Sequence, residues 1–163
     1  MFRRFVAEGS EVLELGIGPG TDLDILRKHY RAVGTDGAQT FLDIYRADHP
    51  DAELFLLDAV KMNTSKTFDG LFSNKVLIHL TRDELIQSFA AQAKVVRSGG
   101  IAVHSFWYGD TEELYNGLQF TYHTEQSITA SIEAAGGLFT VEEMKRYTEM
   151  AKDDSLFVVL RRT

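Results

Sequence analysis

Short apolar runs alternate with helically spaced apolar positions along most of the chain. Residues 12–15 form the first run, apolar except for Glu14, and it gives way to Gly16, Gly18 and Gly20. A run of that length bounded by glycines suits a buried strand. From Thr21 the spacing changes, and Leu23, Leu26 and Tyr30 recur at helical intervals. Residues 32–36 read as a second strand ending in an acid. Phe41, Leu42 and Tyr45 mark the next helix, closed by His49-Pro50 because proline disfavours helix at the residue before it. Residues 54–57 read as a third buried strand followed by Asp58, residues 61–66 as a polar loop, and residues 68–74 as a fourth strand.

Thr81-Arg-Asp-Glu84 is a capping box opening a long helix that carries Leu85, Ile86, Phe89, Ala93 and Val96. Ser98-Gly99-Gly100 ends it, and residues 101–106 read as the fifth strand. A loop over 108–117 leads to a helix with Ile128, Ile132 and Ala135 on one face, stopped by Gly136-Gly137. Two last strands, 140–149 and 156–161, are joined by Lys152-Asp153-Asp154, too short a connection for anything but an antiparallel pair. The earlier strands are separated by helices and so run parallel. Near the start, Phe2, Phe5 and Val6 suit a helical turn. The pattern predicts one α/β domain over residues 1–163, with a mostly parallel sheet flanked by helices and an antiparallel C-terminal hairpin.

Composition narrows the partners. The chain has 163 residues, 44% hydrophobic and 25% charged, ordinary for a soluble domain. Its formal charge of −7 argues against a nucleic-acid backbone. The absence of cysteine excludes a disulfide framework, a thiolate metal site and a cysteine nucleophile, and fits a reducing compartment. No apolar run reaches the ~18 residues of a membrane span. The expectation is a cytoplasmic protein with no membrane or nucleic-acid partner. No His and carboxylate set has metal-ligand spacing, so no metal is expected.

In open α/β sheets ligands bind beyond the carboxyl ends of the strands. The first four strands end there in the glycines, Asp36, Asp58 and Asn74. Asp36 lies twenty positions after Gly16, the separation at which an acid accepts bonds from ribose hydroxyls. An acid in that place also serves as a helix cap or a turn residue. A dinucleotide fingerprint G-x-G-x-x-G requires glycine at position 21, where Thr21 stands. The loop is instead E-x-G-x-G-x-G, with Glu14 inside the strand. A carboxylate there suits an ammonium better than a pyrophosphate. S-adenosylmethionine carries an ammonium, a ribose and an adenine.

Leu13-Glu-Leu-Gly-Ile-Gly-Pro-Gly20, Gly34-Thr-Asp36-Gly37, Leu56-Leu-Asp58-Ala59, Phe68-Asp-Gly-Leu-Phe-Ser-Asn74 with Val76-Leu77-Ile78-His79-Leu80, and Val96-Arg-Ser-Gly-Gly-Ile101 occur in that order. Together they resemble the motifs of the class I S-adenosylmethionine-dependent methyltransferases of the small, single-domain, small-molecule type. The resemblance implies a Rossmann-like, seven-stranded sheet and transfer of a methyl group to a small-molecule acceptor, with S-adenosylhomocysteine as product. It implies that Gly16, Ile17, Gly18 and Gly20 surround the methionine portion while Glu14 orients its ammonium. Asp36 and Gly37 would hold the ribose, Asp58 and the Ala59 backbone the adenine, and Asn74 the region under the sulfur.

His79 is the best-placed general base where an acceptor must lose a proton, although packing at a helix entry is the commoner use of such a residue. His104 alternates with apolar neighbours and reads as a core histidine with satisfied nitrogens. Trp107-Tyr108 suits either an acceptor pocket or the cap of a sheet end. Members of the family carry several dozen residues before the first strand, against eleven before Val12 here. The lid those residues form is then absent, supplied by a partner, or cut short. Two other readings stand beside the enzyme: an S-adenosylmethionine-binding protein without turnover, and a nicotinamide-dependent oxidoreductase, which Thr21 and the terminal hairpin disfavour. The fourth motif lacks the Asn-Pro-Pro-aromatic pattern of enzymes that methylate base or glutamine amino groups.

Overall fold

A computed structural model describes residues 2–163. In chain order the elements are β1 (Glu11–Leu15), α1 (Thr21–Arg27), β2 (Arg31–Asp36), α2 (Gln39–Asp48), β3 (Leu54–Leu56) and β4 (Phe68–Asn74), followed by α3 (Arg82–Val95) and β5 (Val96–Trp107). Then come β6 (Glu112–Tyr115), β7 (Leu118–Thr121), α4 (Glu125–Ala134), β8 (Phe139–Tyr147) and β9 (Ser155–Arg162). Seven strands form one sheet in the order β3-β2-β1-β4-β5-β9-β8. Those from β3 to β5 run parallel, while β9 is antiparallel to both β5 and β8. The Rossmann-like sheet with its C-terminal hairpin is therefore present. The order reverses between β1 and β4, which opens a crevice at their carboxyl ends.

Alternating side chains on the central strands feed two cores, one on each face. Leu13, Leu15 and Leu71 pack with Leu85 and Phe89 of α3 and Ile128 and Ile132 of α4. Val12, Val103, Phe157 and Val159 face the other way, toward Leu26, Tyr30 and the N-terminal Phe2 and Val6. Phe2 belongs to a short 3-10 turn, Phe2–Arg4, whose ring meets Tyr30 and Phe72 edge-on at 5.5 and 5.8 Å. The expected capping box is complete: the Thr81 side chain accepts from the Glu84 amide, and the Glu84 side chain accepts from the Thr81 amide. Among the described residues no helix is long and apolar enough to cross a membrane.

Three local expectations are corrected. β3 is an edge strand, not a buried one. Its outer side has no neighbour, so Leu54 and Phe55 are half-buried and Leu56 is 56% exposed. Helix α3 stops at Val95, before Ser98-Gly99-Gly100, and β5 begins at Val96. The glycines instead carry an excursion within that strand. Phe68 pairs with Val96 but Gly70 with Ile101, and Gly99 takes φ +77 between them. The expected loop over 108–117 contains β6 and leads through a tight turn to β7. Asn116 and Gly117 adopt φ 50 and 80, the pair of positive angles an Asn-Gly hairpin turn uses.

The sheet also buries ionisable side chains. Glu14 is 2% exposed, and burial, reinforced by the carboxylates of Asp22, Asp24 and Asp36, pushes its pKa up to about 9. His104 and His123 are fully buried, and desolvation lowers them to about 3 and about 4. Ser73 Oγ lies 2.8 Å from His104 Nδ1, but His104 Nε2 has no partner, so this core histidine is only half satisfied. The signs oppose one another. Below the ordinary histidine value of 6.5, the unfolded chain takes up protons that the folded histidines refuse, so stability falls on acidification. Above 4.5 the unfolded Glu14 gives up a proton that the folded protein keeps, so stability falls as pH rises toward 9. Two histidines outweigh one glutamate on the acid side, which places the maximum near pH 6.5. Urea unfolding from about pH 5 to about pH 8 should show that dome, and Glu14→Gln should flatten its alkaline limb and steepen the acid one, where Glu14 no longer opposes the histidines. A single monotonic rise in both proteins would contradict these protonation states.

Candidate functional site

A cavity of about 520 Å³ opens at the carboxyl ends of β1, β2 and β4. The end of β2 positions its floor. The Gly16 and Ile17 amides both donate to the Thr35 carbonyl, at 2.8 and 2.9 Å, and the Thr35 hydroxyl returns a bond to the Glu14 carbonyl. Asp36 then takes the next free amide of the loop, accepting from Gly18 N at 3.0 Å, and its other oxygen accepts from Ala38 N at 2.9 Å. The loop after β1 is thus held by backbone and carboxylate together.

The three loop glycines have different uses. All have positive φ, at 74, 48 and 88° for Gly16, Gly18 and Gly20. A Cβ on Gly16 would lie 2.5 Å from a Val76 methyl, and one on Gly20 would lie 2.1 Å from the Tyr45 ring. At Gly18 a Cβ would meet nothing within 4 Å. Only Gly18 has the open space a ligand needs; Gly16 and Gly20 are small so that neighbouring side chains can close on the turn. Gly20 is the cap of α1 and is not among the residues that line the cavity.

Electrostatics set the ligand's charge. Glu14, in β1, is part of the cavity wall, and among the described residues its buried Oε2 has no hydrogen-bond partner. Asp22 and Asp36 line the same space. The first turn of α1 bears Asp22 and Asp24, so the positive end of that helix is already met by carboxylates. Such a wall suits a cation better than a pyrophosphate. Among the described residues, no cluster of three or more His, Cys, Asp or Glu side chains is arranged to hold a metal ion.

Of the other expected residues, Ile17, Gly37, Ala59, Asn74 and His79 line the cavity. Asp58 does not. Its Oδ1 accepts from Val60 N and Lys61 N at 2.7 and 3.1 Å, which makes it the cap of its own turn, while Leu57 and Ala59 on either side face the cleft. Asn74 is held at both ends: Nδ2 donates to Asp22 at 3.0 Å, and Oδ1 accepts from the Ser105 hydroxyl at 2.5 Å. His79 lies in a 3-10 turn, Leu77–His79, where its Nδ1 is 2.9 Å from the Gln119 carbonyl of β7. A carbonyl only accepts, so Nδ1 carries the proton and Nε2 of the neutral ring keeps its lone pair.

Pattern reading passed over Lys75. Its backbone is left-handed at φ 55, and its ammonium is drawn away from the cleft to the Phe106 carbonyl (2.9 Å), the Ser155 hydroxyl (2.8 Å) and Glu149 (3.2 Å). It lies 3.5 Å from the Trp107 ring centre, and burial lowers its pKa. Trp107 is therefore spent on Lys75 and Tyr108 on Arg146, whose guanidinium lies 3.7 Å from the ring centre; neither lines the cleft. Phe41 and Pro19 do line it without having been anticipated. A second cavity of about 520 Å³ lies at the opposite ends of the strands. Its charges are already paired, Arg27 with Asp51, Lys66 with Glu53, and Arg97 with Glu11 and Asp69.

Solved structures share this architecture from end to end. An S-adenosylmethionine-dependent methyltransferase from Mesorhizobium loti superposes with a TM-score of 0.81 at 17% identity, covering 98% of this chain and 95% of that one. One from Methanosarcina mazei gives 0.84 at 13% identity, covering 99% and 96%. The 1,6-didemethyltoxoflavin-N1-methyltransferase of Burkholderia thailandensis, solved with 1,6-didemethyltoxoflavin and S-adenosylhomocysteine, gives 0.82 at 20% identity, covering 99% and 74%. No curated protein matches the sequence. The sequence profile of the family described as "Methyltransferase domain" matches residues 12–100, more than half of the chain. The chain belongs to that methyltransferase family and carries the class I fold of its S-adenosylmethionine-dependent members.

Proposed function

We propose that residues 1–163 act as a single methyltransferase domain that binds S-adenosylmethionine in the cavity beside β1 and methylates a small-molecule acceptor. One observation carries the reading: a buried carboxyl, Glu14, lines the cavity with its Oε2 unpartnered among the described residues, beside a loop that is open at Gly18. A buried acceptor without a donor is costly to the free protein and is relieved by a ligand ammonium. Asp36 beside Gly37 suits ribose hydroxyls, since each of its oxygens keeps a lone pair beyond the backbone bonds it accepts. Leu57, the Ala59 backbone and the ring of Phe41 offer the apolar slot an adenine requires, with Asp58 holding the turn behind them.

When bound, S-adenosylmethionine supplies a methyl on a sulfonium sulfur, which keeps the bonding pair and departs as a neutral thioether while the acceptor's lone pair forms the new bond. The protein's task is placement, worth much of the barrier in a displacement that needs no covalent enzyme nucleophile. Asn74, fixed by Asp22 and Ser105, defines the wall beneath the reacting end. An acceptor O–H or N–H gives its proton to His79 Nε2, which the Gln119 carbonyl keeps in the accepting tautomer. The small-molecule acceptor finds support in the Burkholderia enzyme, a 1,6-didemethyltoxoflavin-N1-methyltransferase solved with 1,6-didemethyltoxoflavin bound.

Calorimetry with S-adenosylhomocysteine tests the reading. Ionisation of Glu14 on meeting the ammonium should release close to one proton per ligand, so the association constant should rise about tenfold per pH unit between about pH 6 and 8. The apparent heat should also change with the buffer's ionisation enthalpy. Gly18→Val should abolish binding and leave a folded protein, whereas Gly20→Ala should mainly lower stability, by ~2–4 kcal/mol from the overlap with Tyr45 and the left-handed backbone. Tight binding of a nicotinamide dinucleotide with none of S-adenosylhomocysteine would reject the assignment. Bound S-adenosylhomocysteine with no methylated product from any acceptor would favour a binding protein without turnover.

A further inference from the structure

Asn74 is shared by two cavities. Besides the cleft beside β1, it borders a pocket of about 440 Å³ on the sheet face that carries Phe72 and Phe157. The register explains its floor. Phe72 on β4 lies opposite Val103 on β5; one step on, Asn74 lies opposite Ser105, Ser105 opposite Phe157 of β9, and Phe157 opposite Lys145 of β8. Side chains in register on neighbouring strands point to the same face, so these two rows form one continuous surface. Aromatic rings bound it on both sides. Phe2 and Phe72 meet edge-on at 5.8 Å, and Tyr147 and Phe157 lean together at 6.3 Å with 43° between their planes.

The charges of the two cavities are opposite in sign. The cleft beside β1 holds Glu14, Asp22 and Asp36. The aromatic pocket has Lys145 at its rim, and the carboxylates nearest to it in sequence are engaged elsewhere, Glu143 with Arg4, Glu142 with Arg161 and Glu149 with Lys75. Lys145 is exposed and has no ion-pair partner among the described residues. A guest here finds apolar rings along its body, the Ser105 and Asn74 polar groups at the inner end, and an uncompensated ammonium at the outer end. An anionic group would be repelled from the acidic cleft and drawn to Lys145, which orients the guest with its other end toward Asn74.

We infer that this pocket is the acceptor site and that the acceptor is a planar aromatic anion, such as an aromatic carboxylate, seated between the Phe2–Phe72 and Tyr147–Phe157 pairs with its charge at Lys145. The inference rests on the proposed methyl transfer for its chemistry, since it places the reacting end of the guest at the residue that also walls the donor cleft. It assigns Lys145 and Tyr147 to acceptor recognition and leaves them without contact to the donor.

The test uses 2-naphthoate and its neutral analogue 2-naphthylmethanol, titrated into the full chain with and without saturating S-adenosylhomocysteine. Binding is followed by ligand fluorescence and by amide chemical shifts around Phe72 and Tyr147. Saturable one-site binding of 2-naphthoate is expected. Lys145→Gln, a substitution of an exposed side chain, should weaken 2-naphthoate by about three- to fivefold and leave the alcohol unchanged. Tyr147→Ala should weaken both probes by about tenfold. Neither variant should change the affinity for S-adenosylhomocysteine. Non-saturable binding, or 2-naphthoate affinity unchanged in both variants, overturns the pocket. Loss of 2-naphthoate binding with S-adenosylhomocysteine still bound sinks this inference alone. The reverse result, probe binding with no affinity for S-adenosylhomocysteine, sinks the donor assignment and leaves the aromatic-anion site standing.

Discussion

One peptide carbonyl and one carboxylate at the end of β2 hold three consecutive amides of the turn that follows β1, and the site depends on that grip. The Thr35 carbonyl takes two loop amides and the Asp36 carboxylate takes a third. A loop of glycines would otherwise sample many conformations, and ordering it costs more backbone entropy than any other composition. Here the ordering comes from the sheet itself, because β1 and β2 are already paired in parallel register as far as Leu15 and Thr35. The binding surface is the continuation of a strand pairing. Its stability is inherited from the central strands and their two cores, not from local contacts in the loop.

Within that frame Glu14 is a deliberate mismatch. A carboxyl buried between β2 and β4, short of one hydrogen bond and facing three other acids, disfavours its own charge. The free protein keeps the proton and gives up some stability above the ordinary carboxylate range. A cationic partner reverses the preference. Strain of this kind is stored where a ligand relieves it, and the sheet around it is well packed enough to carry the cost.

Much of this was legible in the chain. Periodicity located the helices and the seven main strands because their apolar faces are long and regular. The glycine-rich turn, Asp36 and Asn74 stood out because strand ends are where a parallel sheet receives ligands. What was missed follows from facts that sequence spacing does not carry. Leu54 and Leu56 looked buried because an apolar run says nothing about a strand's place in the sheet order. Asp58 stands outside the cavity lining because its carboxylate caps its own turn, a use that shares one motif position with a binding acid. The β6–β7 hairpin was readable from Asn116-Gly117, but Leu114, Tyr115 and Leu118 are exposed, so no alternating buried face flanks that signal. Nor does pattern distinguish Gly18 from Gly20, whose difference lies in the Tyr45 ring arriving from α2.

Lys75 shows how far the cleft extends along the chain. Its backbone turns the corner out of β4, while its ammonium is anchored to β5, to Ser155 at the start of β9 and to Glu149 in the connection before it. The terminal hairpin is thus a mooring for the fourth strand's exit as well as a rim of the sheet. Drift in the β8–β9 connection would be felt at Asn74, one residue away from that anchor, so variation at the far end of the polypeptide has a direct mechanical route to the residue that walls both the cleft and the aromatic pocket.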